Sequence, residues 1–300
     1  MYKNSFEDTS VLLIGKNGGL SNQILANSNK YFPGANFVNV SSREITESTW
    51  TELLTENGLA TNKVKVIWCA GSAKPSSPRS NCSKDLGSLQ NFCNQKILQK
   101  VANLEIFFMS SGGTVYGNNP GEVNENSELK PGSHYAEMKV RSENLLRSMT
   151  TEYGIPVRIC RLANMYGCTP SSQGNGLIDR AISSSRVGTD VMIFRSLISR
   201  NQYGTFCDYA QYILKFVQNS KIDTNNTFYI KNIYSDWDYS IGEILELVRS
   251  RMSNLGYNLE VKSKIGSCDL VESVILHNSN PSERIDHKWQ SLQEFLESIK

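Results

Sequence analysis

Three hundred residues, 39% of them hydrophobic, are enough for one large core or two modest ones. With 31 basic against 29 acidic residues and no run of Lys or Arg, no charge excess draws the chain to nucleic acid or a membrane surface, and a small-molecule partner is expected. The polar opening MYKNSFEDTS does not read as a signal peptide, no apolar run approaches a membrane span, and seven scattered cysteines without CxxC spacing read as reduced thiols, so the expected compartment is cytoplasmic.

Apolar strand-like runs alternate with helix-like segments through the first half, the pattern of a parallel sheet with helices on both faces. In chain order the reading gives a strand over Val11 to Ile14, a helix over Leu20 to Lys30, a strand over Asn36 to Val40 and a helix over Thr49 to Asn57. A strand over Val64 to Cys69, a helix over Leu86 to Val101, a strand over Glu105 to Ser110, a helix over Tyr135 to Tyr153 and a strand over Val157 to Leu162 follow. After Tyr166 the alternation weakens and Gly, Ser, Asn and Pro gather, as in CTPSSQGNG. The chain therefore divides into residues 1–165 and a smaller lobe mainly over 166–300, with a strand over Thr227 to Ile230 and a helix over Ser240 to Met252 that belong to the lobe or return to the sheet.

Three places carry chemistry. Gly15, Gly18 and Gly19 fall between the first strand and the first helix, where a nucleotide-binding fold brings backbone close to a pyrophosphate and faces it with a helix amino terminus. An ordinary strand-to-helix turn gives the same pattern. The second strand ends on Ser41, Ser42 and Arg43, and two hydroxyls with a guanidinium hold a 2′-phosphate where a carboxylate would repel it. Lys16 adds a second cation there; alternatively Arg43 is a solvated loop charge and Glu44 takes the ribose. Tyr135 and Lys139, four residues apart, share a helix face. A free tyrosine has a pKa of about 10, so it serves as a general base at neutral pH only where a cation stabilises the phenolate. His134, His277 and His287 show no ligand spacing, and no metal is expected.

Taken in order, VLLIGKNGG, VIWCAG, SSGGTVYG (Ser110 to Gly117), HYAEMK, RLANMYG, SRNQYGTFCDYA and SIGEILELV resemble the extended short-chain dehydrogenase/reductase family, NAD(P)-dependent enzymes that oxidise, reduce or epimerise nucleotide sugars. The resemblance implies an α/β fold, a Rossmann-type doubly wound parallel sheet over 1–165 with a smaller C-terminal substrate-binding lobe. It also implies a cofactor site of Gly15, Lys16, Gly18, Gly19, Ser41, Ser42, Arg43, Ala70 and Gly71, completed by Tyr135 and Lys139. NADP is favoured by the end of the second strand, with NAD as the alternative. Tyr135 would exchange the proton, Lys139 would support it and hold the nicotinamide ribose, and a strand-end hydroxyl would polarise the carbonyl. Asn164 and Arg200 would contact a nucleotide-sugar substrate; a strand-end Asn capping its own turn and a surface Arg are the plainer readings. Helices near Leu86 to Val101 and Tyr135 to Tyr153 resemble those that pair in family dimers, so a homodimer is expected.

Three departures from the family pattern matter. The third glycine of the turn is Ser21, which should crowd the helix against the sheet and weaken binding. The family's catalytic Ser or Thr falls on Gly112, leaving Ser111, which also becomes a substrate contact, or Thr114 as substitutes. Gly113 and Thr114 stand where dehydratases carry an Asp-Glu pair, and Thr114 stands where epimerase-reductases carry a Cys. Hydride chemistry at one carbinol carbon remains: reduction of a 4-keto-hexose first, 4-epimerisation with bound NAD second. A non-catalytic dinucleotide-binding sensor or scaffold is the third reading.

Overall fold

A computed structural model describes residue 6 and residues 8–46, 50, 63–101, 103–117, 121–167, 176–220, 227–263 and 273–300. In chain order the elements begin with β1 (Thr9–Ile14), α1 (Gly19–Tyr31), β2 (Asn36–Val40), β3 (Lys63–Trp68), α2 (Arg79–Cys93) and β4 (Leu104–Ser111). Next come the single turn α3 (Gly112–Val115), β5 (Gly121–Val123), α4 (His134–Tyr153), β6 (Val157–Leu162), β7 (Asn164–Tyr166), α5 (Leu177–Val187), β8 (Val191–Ile193) and β9 (Arg200–Thr205). The remainder is α6 (Phe206–Asn219), β10 (Phe228–Ile233), β11 (Asp238–Ser240), α7 (Ile241–Asn254), β12 (Val261–Ser263), β13 (Val274–Leu276) and α8 (Leu292–Glu297).

Six strands make one parallel sheet in the order β10-β6-β4-β3-β1-β2. Both faces are apolar because successive side chains alternate: along β1, Val11 and Leu13 enter one cluster while Leu12 and Ile14 enter the other. The first cluster takes in Ile24 of α1 and Ile213 and Val217 of α6; the second takes in Leu89 and Phe92 of α2 and Leu146 and Met149 of α4. This is the doubly wound α/β architecture expected from the alternation. The strand Val157–Leu162 is found with the predicted bounds. The strand expected at Thr227 is Phe228–Ile233, and it returns to the sheet beside β6.

The helix expected over Leu86 to Val101 is displaced. It starts at Arg79 behind Pro78 (φ −66°), whose fixed backbone suits a helix boundary, and stops at Cys93. Gln95 is extended (ψ 112°), which separates off a short 3₁₀ turn, Lys96–Lys100. The helix predicted over Thr49 to Asn57 lies outside the described residues apart from Trp50, which is buried.

The second lobe holds a sheet in the order β11-β9-β13-β5, with β7 alongside β9, and its helices α5, α7 and α8 bury Ile182, Val248 and Leu296 in a third cluster. Ser240 and Glu243 form a reciprocal cap at the start of α7. Cys69, Cys82, Cys93, Cys160 and Cys207 are free thiols. Among the described residues no helix is long and apolar enough to cross a membrane.

Candidate active site and cofactor cradle

The strand order reverses between β1, which is followed in the sheet by β2 on one side, and β3 on the other. Ligands of open α/β sheets bind at such a point, beyond the carboxyl ends of the strands. The two ends approach closely, with Cys69 N donating to Ile14 O at 2.8 Å. Gly15 has φ +134°, and a Cβ there would lie 2.9 Å from Ala70 N. Only glycine fits. Gly18 N donates to Gly15 O at 3.1 Å and closes the turn. Gly18 then stands at the amino end of α1 with no side-chain cap, so the first-turn amides are offered to an anion.

Ser21 is fully buried, and its Oγ lies 2.6 Å from Gly15 O and 3.0 Å from Gly18 O. The sequence pattern treats this residue as crowding; the structure shows its hydroxyl tying the glycine turn to the first turn of the helix. The loop after β3 is fixed in a similar way: Asp85 Oδ2 accepts from Ser72 N at 2.8 Å and Ala73 N at 2.7 Å, just past Ala70 and Gly71. Asp85 escaped sequence reading, since an aspartate inside a polar helix carries no local sign of a distant partner.

Beyond β2, Ser41 and Ser42 are half-buried and Arg43 and Lys16 are exposed. Ser41 Oγ accepts from Arg43 N at 3.3 Å. Glu44 folds back so that its Oε2 accepts from Ser41 N at 3.0 Å. A carboxylate is therefore brought to the strand end by the turn, beside the hydroxyls and the guanidinium.

The Tyr–Lys helix α4 starts behind Ser133, whose hydroxyl accepts from Ala136 N, with the exposed His134 as its first residue. It ends at Gly154 in the left-handed conformation (φ +68°). Tyr135 is half-buried. Lys139 is buried, and its Nζ donates to Met109 O at 2.8 Å, 4.9 Å from the Phe108 ring centre and 5.7 Å from that of Tyr135. The same ammonium acts on Cys69 at the end of β3, whose thiol is pushed up to about 12 by burial and drawn partly back by Lys139. The glycine turn adjoins the end of β3 through the Cys69 N–Ile14 O bond, and the Tyr–Lys pair sits at the end of the neighbouring β4.

At the end of β4, a Cβ on Gly112 would stand 2.5 Å from Leu276 Cδ1 and 3.2 Å from Arg161 O. Position 112 faces the packed side, against β13. A Cβ on Gly113 would lie 3.5 Å from Asn164 Oδ1, so it is position 113 that looks towards the substrate candidate. Ser111 is half-buried and caps nothing, while the Oγ1 of Thr114 is buried without a hydrogen-bond partner among the described residues. Asn164 does not cap its own turn: its Nδ2 donates to Gln202 O at 3.3 Å across to β9. Arg200 is held by Asp238 (2.7 Å) and Glu243 (2.9 Å). Asp208 joins the start of α6, with Thr205 Oγ1 accepting from Asp208 N at 3.0 Å. No metal-like group of His, Cys, Asp or Glu occurs among the described residues.

The open helix end, the glycine that lets backbone approach and the switch-point position have the geometry that accommodates a pyrophosphate in a Rossmann-type fold. Residues 89–230 match the NAD dependent epimerase/dehydratase family. Among curated proteins, an uncharacterized UDP-glucose epimerase, YtcB, of Bacillus subtilis (strain 168) is 35% identical over 75 residues, 24% of each chain. The dTDP-4-dehydro-6-deoxyglucose reductase of Escherichia coli is 30% identical over 149 residues, 49% of this chain and 47% of that one. The matches thus span a quarter to about half the length of these relatives. In fold, the UDP-glucose 4-epimerase of Thermotoga maritima solved with UDP-glucose superposes with a TM-score of 0.74 at 19% identity, covering 96% of both chains. Over residues 89–230 the chain is thus similar to the NAD dependent epimerase/dehydratase family, and over nearly its whole length it shares the fold of the solved epimerase.

Proposed function

We propose that the protein is an NAD(P)-dependent oxidoreductase acting at one carbinol carbon of a nucleotide-activated sugar, reducing a 4-keto-hexose. The observation that carries this reading is the pairing of Tyr135 with the buried Lys139 beside the hydroxyl-bearing end of β4. The dinucleotide, when bound, supplies the hydride. Tyr135 gives its phenolic proton to the sugar oxygen, and Lys139, oriented by Met109 O, holds its Nζ beside the ring. Ser111 or Thr114 donates to the same oxygen. Elimination of water has no support, because Gly113 and Thr114 bear no carboxylate and the nearby Glu143 is engaged by Ser110 and Arg161. Asn164 lies against Gly113 and serves as a sugar or diphosphate contact. Arg200 reaches a diphosphate by exchanging two half-exposed ion pairs, each worth only about 0–1 kcal/mol.

The exposed Arg43 with Ser41 and Ser42 favours NADPH. Arg43→Ala is expected to reduce a preference for NADPH over NADH by roughly ten- to a hundredfold, the worth of a hydrogen bond to a charged group. Fluorescence titration of both nucleotides checks it, and equal or tighter NADH binding by the unmutated protein would refute the phosphate clasp. One observation favours the second reading, 4-epimerisation with retained NAD: Glu44 places a carboxylate at the Ser41 amide, where ribose hydroxyls are held in NAD-binding members. Related structures are named as NAD complexes, among them the Thermus thermophilus UDP-glucose 4-epimerase. Mass spectrometry of the nucleotide that co-purifies, followed by turnover assays, tests the proposal. An empty site that takes up NADPH and reduces a 4-keto nucleotide sugar supports reduction. Retained NAD with interconversion of UDP-glucose and its 4-epimer supports epimerisation, and a bound dinucleotide without turnover leaves the sensor or scaffold reading.

Two further expectations belong here. Ser21→Ala removes the hydroxyl that pins the glycine turn and should weaken nucleotide binding by about two- to tenfold, as the loss of one hydrogen bond implies; unchanged affinity in the same titration would show the turn to be set by backbone alone. We also propose a homodimer through α2 and α4. The sequence suggests apolar residues on more than one face, but in the structure Leu86, Leu89 and Phe92 of α2 are buried within the chain and its outward residues, such as Arg79 and Lys84, are polar. Such a dimer rests on polar contacts, and sedimentation at micromolar concentration distinguishes it from a monomer.

A further inference from the structure

We infer that Glu143 is a positioning residue for the proton-transfer pair, an inference that rests on the hydride-transfer reading above. Tyr135, Lys139 and Glu143 follow one another at four-residue steps on α4, so they share a face. Two consecutive residues of β4 receive that face. Lys139 Nζ donates to Met109 O at 2.8 Å, and Ser110 Oγ donates to Glu143 Oε1 at 2.5 Å. The next residues along the chain, the end of β4 at Ser111 and the turn α3 through Thr114, carry both candidate hydroxyls.

Glu143 does more than close that second bridge. Only 4% exposed, it accepts from Arg161 Nε at 3.2 Å and from Nη2 at 2.7 Å, and Arg161 is itself 2% exposed on β6. The remaining guanidinium nitrogen, Nη1, donates to the Tyr116 hydroxyl at 2.9 Å. Ser110 precedes the hydroxyl-bearing turn and Tyr116 follows it. A single buried ion pair rooted on the phenol's helix therefore holds that turn at both ends. A fork-shaped, two-bond contact fixes direction as well as distance. Buried pairs of this kind add little net stability compared with an apolar replacement, so what Glu143 and Arg161 supply is geometry. A displacement of about 1 Å in such a site costs up to a hundredfold in rate.

The test separates position from stability. Ser110→Ala cuts the bridge on the strand side and leaves the Glu143–Arg161 pair whole. It should lower kcat about tenfold with KM for the nucleotide sugar unchanged within about twofold, for a small misplacement in the site. Ser110→Thr, which keeps the hydroxyl, should recover most of that loss. In the Glu143→Leu/Arg161→Met double variant, apolar side chains replace both charges, so the melting temperature should return near that of the parent while kcat stays low. Recovery of kcat together with the melting temperature, or a Ser110→Ala enzyme as fast as the parent, overturns the inference. Hydrogen exchange reads the same device without catalysis: amides of residues 111–116 should exchange faster in Ser110→Ala. If the parent protein turns over no nucleotide sugar, the activity reading fails on its own, and unchanged exchange at those amides then overturns the positioning role independently.

Discussion

Tyr135→Phe is expected to lower turnover by about 10² to 10⁴, the typical contribution of a positioned acid or base, with nucleotide affinity nearly unchanged. The substitution keeps the half-buried ring and its place beside the Lys139 ammonium, and removes only the proton-bearing oxygen. Lys139→Met should lower turnover too, but it also takes a buried cation from between Met109 O and the end of β3, so nucleotide binding should weaken with it. Steady-state rates on a 4-keto or 4-hydroxy nucleotide sugar, set beside nucleotide titrations, distinguish the two patterns. Full activity in Tyr135→Phe would make Tyr135 a packing residue and return the chain to the sensor or scaffold reading. Ser111→Ala and Thr114→Val, compared side by side, show which hydroxyl stands in for the one absent at Gly112.

Gly117→Ala should produce the largest loss of stability of any single methyl added near the site. Gly117 has φ +60°, and a Cβ there would fall 1.6 Å from Lys130 O and 2.7 Å from the Lys130 carbonyl carbon. Lys130 cannot simply retreat, because its own N–H donates to Val115 O at 3.1 Å. Backbone strain of about 1–3 kcal/mol adds to a similar overpacking cost of about 1–3 kcal/mol. The melting temperature should fall on the order of 10 °C, as read by calorimetry. A melting temperature within a degree or two of the parent would mean that the segments around 117 and 130 separate at little cost.

The sheet was readable from the sequence because its signals are local. The run Val157–Leu162 lies between Pro156 and the small Ala163 and pairs with β4 and β10 on both sides, and its Val157, Ile159, Cys160 and Leu162 over a strand's length mark it as a buried strand despite two arginines. The glycine turn and the Tyr–Lys step were legible for the same reason. What escaped is held by partners remote in sequence. Nothing near Gly112 announces that Leu276 packs over it, so alternation along the strand could not say which of positions 111 to 114 faces the substrate side. Glu44 reads in the sequence as an alternative partner for the ribose, but no local signal says that the turn brings its carboxylate onto the Ser41 amide. The start of α2 was missed because KPSSPRSN is a turn-like composition in which Pro78 serves as the helix boundary.

The outer strand β10 has a consequence for how the chain is made. Residues 228–233 pair with β6 only after residues 166–227 have been synthesised, and Asn232 then accepts from the Tyr116 hydroxyl at 2.8 Å. Until that moment β6, whose six residues are all buried in the finished fold, is an open edge carrying Val157, Ile159, Cys160 and Leu162 together with Arg158 and Arg161. A nascent chain halted near residue 165 exposes a template for pairing with its neighbours on other ribosomes, and long-range parallel pairing is slow to relieve it. Residues 1–165 cut out and expressed alone would therefore lack the outer strand of their own sheet, which arrives only by way of the segment that follows.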